Sequence, residues 1–514
     1  MNKYIKILAV LFVAGSIFTS CDLDRFPPNS IAEPESLQTI NDAIAWNNGI
    51  MSFFRGRING EFSLVQDVQA DQLNAGADFG NRMGIPHTWQ MNAGTTEIRN
   101  IWFAYYMALA NVNHLINSFP VLYENLTNAA EKAQVSQFLG NAHFARAFYY
   151  NELALRWSPS FDPATAATTL SVPLVTAFDV TARPTRATLE QVYGLILADI
   201  AEARRLLANV PNAQNATRFT PDAVTALEAR VKLYMQDWDG AFAAANSLIT
   251  SGRYPLVNTV AAMETMWVND RSTEIILQMA IGTPVNEQPR FQVPGITTWS
   301  WQAANNNNFR GFNATTNRFA PDFLPSQWVV DKFDANDIRR PVYFSNAGTI
   351  EIGAGTFTGI YIISKFRGNP AIPGAATSYV QTPQVFRIAE MYLIAAEAAF
   401  NSTVRPNSDA LAALNALRIS RGLTALPAGT TGDVLKQEIR DERFRELAFE
   451  GRRLWDLRRW GLGVERRDPQ NIAVLRPGSG FYTLSVPANH HMFVWGIPSG
   501  DVMLNPNLEQ NKDW

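Results

Sequence analysis

Residues 220–250 read TPDAVTALEARVKLYMQDWDGAFAAANSLIT, and they hold two helix starts, the second helix following at once on the first. Thr220 before Pro221 is a cap with proline at the first helical position, where its missing N–H is of no consequence. A second helix opens across Asp237-Trp238-Asp239-Gly240. Ala229, Trp238 and Ala241 are spaced so that small residues let two helices approach while an aromatic ring fills the turn. One hairpin cannot bury its own apolar face, so the stretch predicts similar hairpins stacked against it.

The flanking sequence supplies them. Thr188 and Gln191 form a capping box ahead of an apolar stripe of Leu189, Val192, Tyr193, Ile196, Ile200, Ala203 and Leu207. Glu131 to Arg156 carries Val135, Phe138, Leu139, Ala142, Ala145 and Tyr149 on one side. Ile98 to Phe119 steps by three and four and is expected to stop before Pro120. Gln384 to Phe400 and Asp409 to Arg421 read as another helix pair. The whole resembles a tetratricopeptide array, and the expected fold is mainly α: a tetratricopeptide-like helical repeat array with long loops and small β elements. The β elements are Glu274 to Ile281 and Thr356 to Ser364, whereas Pro284 to Pro325 and Glu465 to Trp514 read as loops. That much irregular chain on a helical frame commonly carries the function.

Composition narrows the options. The chain has 514 residues, a formal net charge of -3 and 17% charged residues. Lys+Arg 43 against Asp+Glu 46, with no polybasic run, excludes a nucleic-acid partner. One cysteine allows no intramolecular disulfide and no Cys-rich zinc site. That cysteine, Cys21, follows Lys3 and Lys6, the apolar run Ile7 to Phe18, and the small pair Thr19-Ser20. The run is well short of the roughly 20 residues that span a bilayer. Residues 1–20 are therefore expected to be a signal peptide resembling that of bacterial lipoproteins, with Cys21 the lipidated residue. Several acyl chains, at about 0.8 kcal/mol per buried methylene, would hold the mature chain at a membrane.

Catalysis is not advertised. His87, His114 and His143 are scattered and His490-His491 adjacent, so metal-ligand spacing is missing and structural roles are expected. Neither a phosphate loop nor a G-x-S-x-G elbow occurs. Glu438, Glu442, Glu446 and Glu450 repeat along one helical face and could suggest a glycosidase acid pair. The interleaved Arg440, Arg443, Arg445, Arg452 and Arg453 favour an ion-paired structural helix instead. No enzyme activity, cofactor or metal is expected.

The same segment, IRDERFRELAFEGRRLWDLRRWG from Ile439 to Gly461, resembles the C-terminal signature of the SusD/RagB family of nutrient-uptake lipoproteins. So do NPNLEQNKDW (Asn505 to Trp514), PSQWVVDKFDANDIRRP (Pro325 to Pro341), RIAEMYLIAAEA (Arg387 to Ala398) and LNALRISRGL (Leu414 to Leu423). Phe18 and the segment Gly496 to Asp501 depart from the family pattern. The resemblance implies a SusD-like α-α superhelix of four tetratricopeptide-like pairs, divided as signal peptide 1–20, N-terminal SusD-like helical region 21–270 and C-terminal RagB/SusD region 271–514. It further implies a non-enzymatic lipoprotein anchored at the outer membrane and exposed at the cell surface. Such a protein binds glycan, or in some members peptide, for a SusC-like TonB-dependent transporter. A scaffold that binds only protein is the remaining alternative.

Sugars need flat aromatic faces rimmed by amide, carboxylate and guanidinium groups. Two loop regions offer that mixture. The early one, Asp67 to Asn92, supplies Asp71, Asn74, Phe79, Arg82, Trp89 and Asn92; the central one, Trp299 to Phe312, supplies Trp299, Trp301, Asn308 and Phe309. These ten are the candidate ligand residues.

Overall fold

The structure is a computed structural model and describes residues 36–177, 179, 181–280, 312–313, 316–353, 355–371, 381–478 and 481–514. The first half holds helices α1 (Ile40–Arg55), α2 (Glu61–Gln69), α3 (Thr96–Asn125), α4 (Ala129–Trp157), α5 (Leu189–Leu206), α6 (Pro221–Tyr234), α7 (Trp238–Thr250) and α8 (Val260–Val268). The second holds α9 (Ile388–Asn401), α10 (Asn407–Ser420), α11 (Gly432–Glu446) and α12 (Arg453–Arg459). Helices α3 to α7 pack each on the next, α7 packs on α9, and α9 carries α10 and α11. The mainly α array therefore continues from one half into the other.

Local chemistry sets the helix starts. Gln191 N–H donates to the Thr188 hydroxyl, and the Gln191 side chain accepts from Thr188 N–H at 2.9 Å. Thr220 caps α6 with Pro221 in its first turn, and Asp237 accepts from Gly240 N–H at 3.0 Å to open α7. Gly140 lets α4 approach the end of α5, because a Cβ there would lie 2.9 Å from Leu207 Cγ. Two expectations need correction. Helix α3 runs through Pro120 to Asn125, since Pro120 sits on its exposed face while Phe119 and Leu122 on either side stay buried. Residues Gln384–Arg387 are a strand rather than the first turn of α9.

That strand belongs to a set of small sheets, with strands β1 (Leu73–Ala75), β2 (Ile275–Gln278), β3 (Phe312–Asn313), β4 (Arg318–Phe319), β5 (Phe323–Pro325), β6 (Phe344–Ser345), β7 (Ile350–Ile352), β8 (Gly355–Phe357), β9 (Ile362–Ile363) and β10 (Gln384–Arg387). Antiparallel pairs join β1 to β5, β2 to β10 and β6 to β9, and a four-stranded sheet runs β3-β4-β7-β8. The predicted loop Pro284 to Pro325 thus ends in three short strands.

A long apolar core follows the helices and includes Phe54, Phe144, Phe148, Trp157, Trp455 and Trp495. A second cluster, with Trp267, Phe323, Val329, Tyr343, Phe344 and Phe444, fills the space between the strands and α11. Between them lies a buried ionic seam. Glu446 accepts from Arg339 Nη1 at 3.1 Å, Arg387 Nη1 at 2.5 Å and Arg421 Nε at 2.9 Å. Glu442 accepts from Arg339 and Arg445, Glu438 from Arg418, and Glu450 from Lys365. The carboxylate row is ion-paired and structural as expected, but of the interleaved arginines only Arg445 pairs with it among the described residues; Arg443, Arg452 and Arg453 pair with Asp456, Glu152 and Asp71 instead. Among the described residues, no helix is long and apolar enough to cross a membrane.

Candidate functional site

The early loop divides sharply. Four of its six candidates are interior residues. Asp71 takes a two-bonded Arg453 guanidinium at 2.9 and 2.7 Å, and Asn74 Oδ1 accepts from Ser326 Oγ at 2.7 Å. Phe79 stands edge-on to Phe323 and Phe481, and Trp89 Nε1 donates to the Gln69 carbonyl at 2.8 Å. All four are buried, so they hold the fold rather than face a ligand. The physical reason for Asn74 and Phe79 is the β1–β5 ladder, which draws Leu73 to Ala75 under the second core cluster, whereas Trp89 packs on Phe493 in the long helical core.

Arg82 and Asn92 reach the surface. Arg82, whose side chain is 60% exposed, grips the Asp322 carboxylate with Nε and Nη2. Burial pushes the Asp322 carboxyl up, against the opposing pull of Arg82; that bond in turn raises the Arg82 guanidinium. Asn92 caps the turn into α3, with Gly94 N–H donating to its Oδ1 at 2.8 Å. Trp299, Trp301, Asn308, Phe309 and the lipidation candidate Cys21 lie outside the described residues.

What the structure adds is how the early loop meets the small sheet. Strand β3 follows directly on the central loop and pairs with β4, which pairs with β7, which pairs with β8. The early loop touches this sheet and its approach at three points. Gly76 N–H donates to the Asp322 carbonyl at 2.7 Å, Arg82 binds the Asp322 side chain, and the Gly353 N–H at the β7–β8 turn donates to the Asp78 carboxylate. Gly76 fits only because it lacks a side chain, since a Cβ would sit 2.7 Å from the Pro321 carbonyl oxygen. Ala77 of the loop packs with half-buried Phe319, Phe357 and Tyr482 on one apolar cluster built on Leu324, Ile350, Ile352 and Leu475. This face thus joins Asp78 and Arg82, through Gly353 and Asp322, to the small sheet whose apolar cluster carries three partly exposed aromatic rings.

Asp78, Phe319, Asp322, Phe357 and Tyr482 were not singled out from sequence. The one signal for Asp78 and Asp322 was an acidic residue beside a glycine or proline turn, which is common everywhere in loops. The face can exchange hydrogen bonds with hydroxyls and cover C–H surfaces. Among the described residues no group of three or more His, Cys, Asp or Glu side chains could hold a metal ion. His87 is buried, with its ring nitrogens 2.9 Å from the Val68 carbonyl and 3.3 Å from that of Phe481.

The frame and this face define a helical-repeat protein whose exposed loops and small sheets, not its helices, form the candidate site. A sequence model described as "SusD family" matches residues 250–514, and one described as "Starch-binding associating with outer membrane" matches residues 35–233. The chain belongs to the SusD family. It is 23% identical over 559 residues to the SusD-like protein P38 of Formosa agariphila, with 99% of each chain covered. The SusD-like protein P2 of the same organism is 23% identical over 552 residues, again with 99% of each covered. Among solved structures, a SusD superfamily protein from Bacteroides thetaiotaomicron superposes with a TM-score of 0.74 at 22% identity, covering 92% of this chain and 99% of that one. A laminarin-binding SusD-like protein superposes with a TM-score of 0.68 at 20% identity, covering 92% and 99%.

Proposed function

We propose that this chain is a lipoprotein, anchored through Cys21 at the outer membrane and exposed at the cell surface. On this reading it captures glycan and passes it to a SusC-like TonB-dependent transporter, without turning it over. The observation that carries the reading is the early loop's attachment to the small sheet, through Arg82 on Asp322 and Asp78 on Gly353, beside an apolar cluster with partly exposed aromatic rings. The description of the N-terminal match and the ligand named for one structural neighbour support a glycan as its occupant.

Calorimetry and affinity electrophoresis across a panel of neutral glycans test it. Arg82→Ala, Trp299→Ala and Trp301→Ala are expected to weaken binding by roughly tenfold or more, as central aromatic and arginine anchors commonly do. Binding unaltered by all three would remove the face from the mechanism. No glycan binding, with transporter co-purification intact, would favour the scaffold alternative, and binding of peptides alone the peptide-capturing one. A Cys21→Ala chain should lose its membrane partition. Glycan turnover abolished by Glu446→Gln would overturn the non-enzymatic reading.

A further inference from the structure

A groove of about 450 Å³ opens beside the signature helix α11 and is lined by Trp328, Lys332, Arg440, Phe444, Arg453, Trp460 and Arg467 among others, a set that does not include Arg82. Its aromatic rings are sandwiched by guanidinium groups. Arg467 lies 4.8 Å from the Trp328 ring centroid, Trp328 lies 5.0 Å from Phe444 at 32°, and Arg453 lies 4.9 Å from Phe444. Arg440 and Arg459 lie 5.2 and 5.4 Å from the Trp460 ring. The rings so covered offer little stacking surface, and recognition in the groove falls to the cations.

Those cations are unequally matched. Lys332 pairs with Asp441 at 2.9 Å and Arg453 with Asp71 at 2.7 Å, whereas Arg467 reaches Glu465 only at 3.8 Å. Arg440 has no hydrogen bond or ion pair among the described residues, although it is half-buried. Burial pushes its guanidinium down, which an incoming anion would reverse. Of the four cations and three carboxylates on the walls, one cation is left over, and Arg440 is the one with no ion pair among the described residues. A guanidinium with its fork free is suited to a carboxylate or sulfate, which it can hold by two parallel hydrogen bonds.

We propose that this groove is a second ligand site, which takes the carboxylate or sulfate groups of an acidic polysaccharide, with Arg440 as the primary contact and Arg467 as the second. The choice of a saccharide rests on the glycan-capture reading above; the choice of an anion rests on the groove itself.

The test titrates the full chain with a neutral β-glucan, an oligogalacturonate, a sulfated galactan oligosaccharide and poly-glutamate. Arg440→Gln and Arg467→Gln are expected to weaken binding of the acidic saccharides by about tenfold each, the loss typical of a charge-assisted hydrogen bond, and to leave β-glucan binding unchanged. Whichever of the two acidic saccharides shows the larger loss identifies carboxylate or sulfate as the natural group. Arg205→Gln, a surface arginine outside the groove, should change nothing. Equal losses in that control, no acidic binding by the wild type, or poly-glutamate binding as tight and as dependent on Arg440 would each overturn the proposal. Failure of β-glucan binding alone would count against the Arg82 face and leave the groove standing.

Discussion

Glu446 is fully buried and yet accepts from three guanidinium groups, and Arg421 and Arg387 among them hold its carboxyl well below the usual range against the cost of burial. Glu446→Gln leaves three cations short of one charge, and it should cost about 3–5 kcal/mol, read as a lower urea midpoint. Because the folded value is depressed, the stability Glu446 contributes is present above the ordinary carboxylate value of about 4.3 and is lost as pH falls below it. Asp67 behaves in the opposite sense. It is buried, accepts from Gly451 N–H at 2.9 Å, and burial pushes its carboxyl up to about 8. A raised acid contributes stability that is complete below its unfolded value of about 3.9 and is lost as pH rises through about 8. Unfolding midpoints measured between pH 5 and 8 should therefore fall with pH in the wild type relative to Asp67→Asn; parallel curves would refute this.

At the scale of elements, the helix starts were legible because each is a local transaction between a side chain and an N–H three residues on. Thr188→Ala should accordingly cost about 1 kcal/mol in thermal unfolding. Gly140→Val should cost about 1–3 kcal/mol, because a branched side chain must displace Leu206 and Leu207 where α4 meets α5. Features decided by distant partners were not legible. Gln384–Arg387 has the apolar content of a helix start and becomes a strand only because β2 lies alongside it. Asp71, Asn74, Phe79 and Trp89 have the composition of a sugar site, and the partners that bury two of them, Arg453 and Ser326, are 382 and 252 residues away. Arg82 kept its place at the surface, yet its partner Asp322 was invisible from its own neighbourhood.

Across the whole molecule the two halves are stitched together. Arg452 binds Glu152 at 3.0 Å, Arg453 binds Asp71, and Arg458 donates to the Ser158 carbonyl at 3.0 Å. Asn511 donates to the carbonyls of Trp157 and Trp495 at 2.9 and 2.7 Å and accepts from Arg186 at 2.7 Å. Scanning calorimetry should show a single transition rather than one for 21–270 and another for 271–514. Asn511→Ala should lower the unfolding free energy by about 1–3 kcal/mol, the cost of leaving buried carbonyls unpaired.

Asn511 also sets a timetable. It follows Trp157 by 354 residues, so a ribosome must pass the whole of that interval before the end of α4 acquires its last two-sided clamp. The helices of the first half can form as they emerge, but their final closure waits for late synthesis, and an interrupted translation product would leave an open, protease-sensitive end at Trp157.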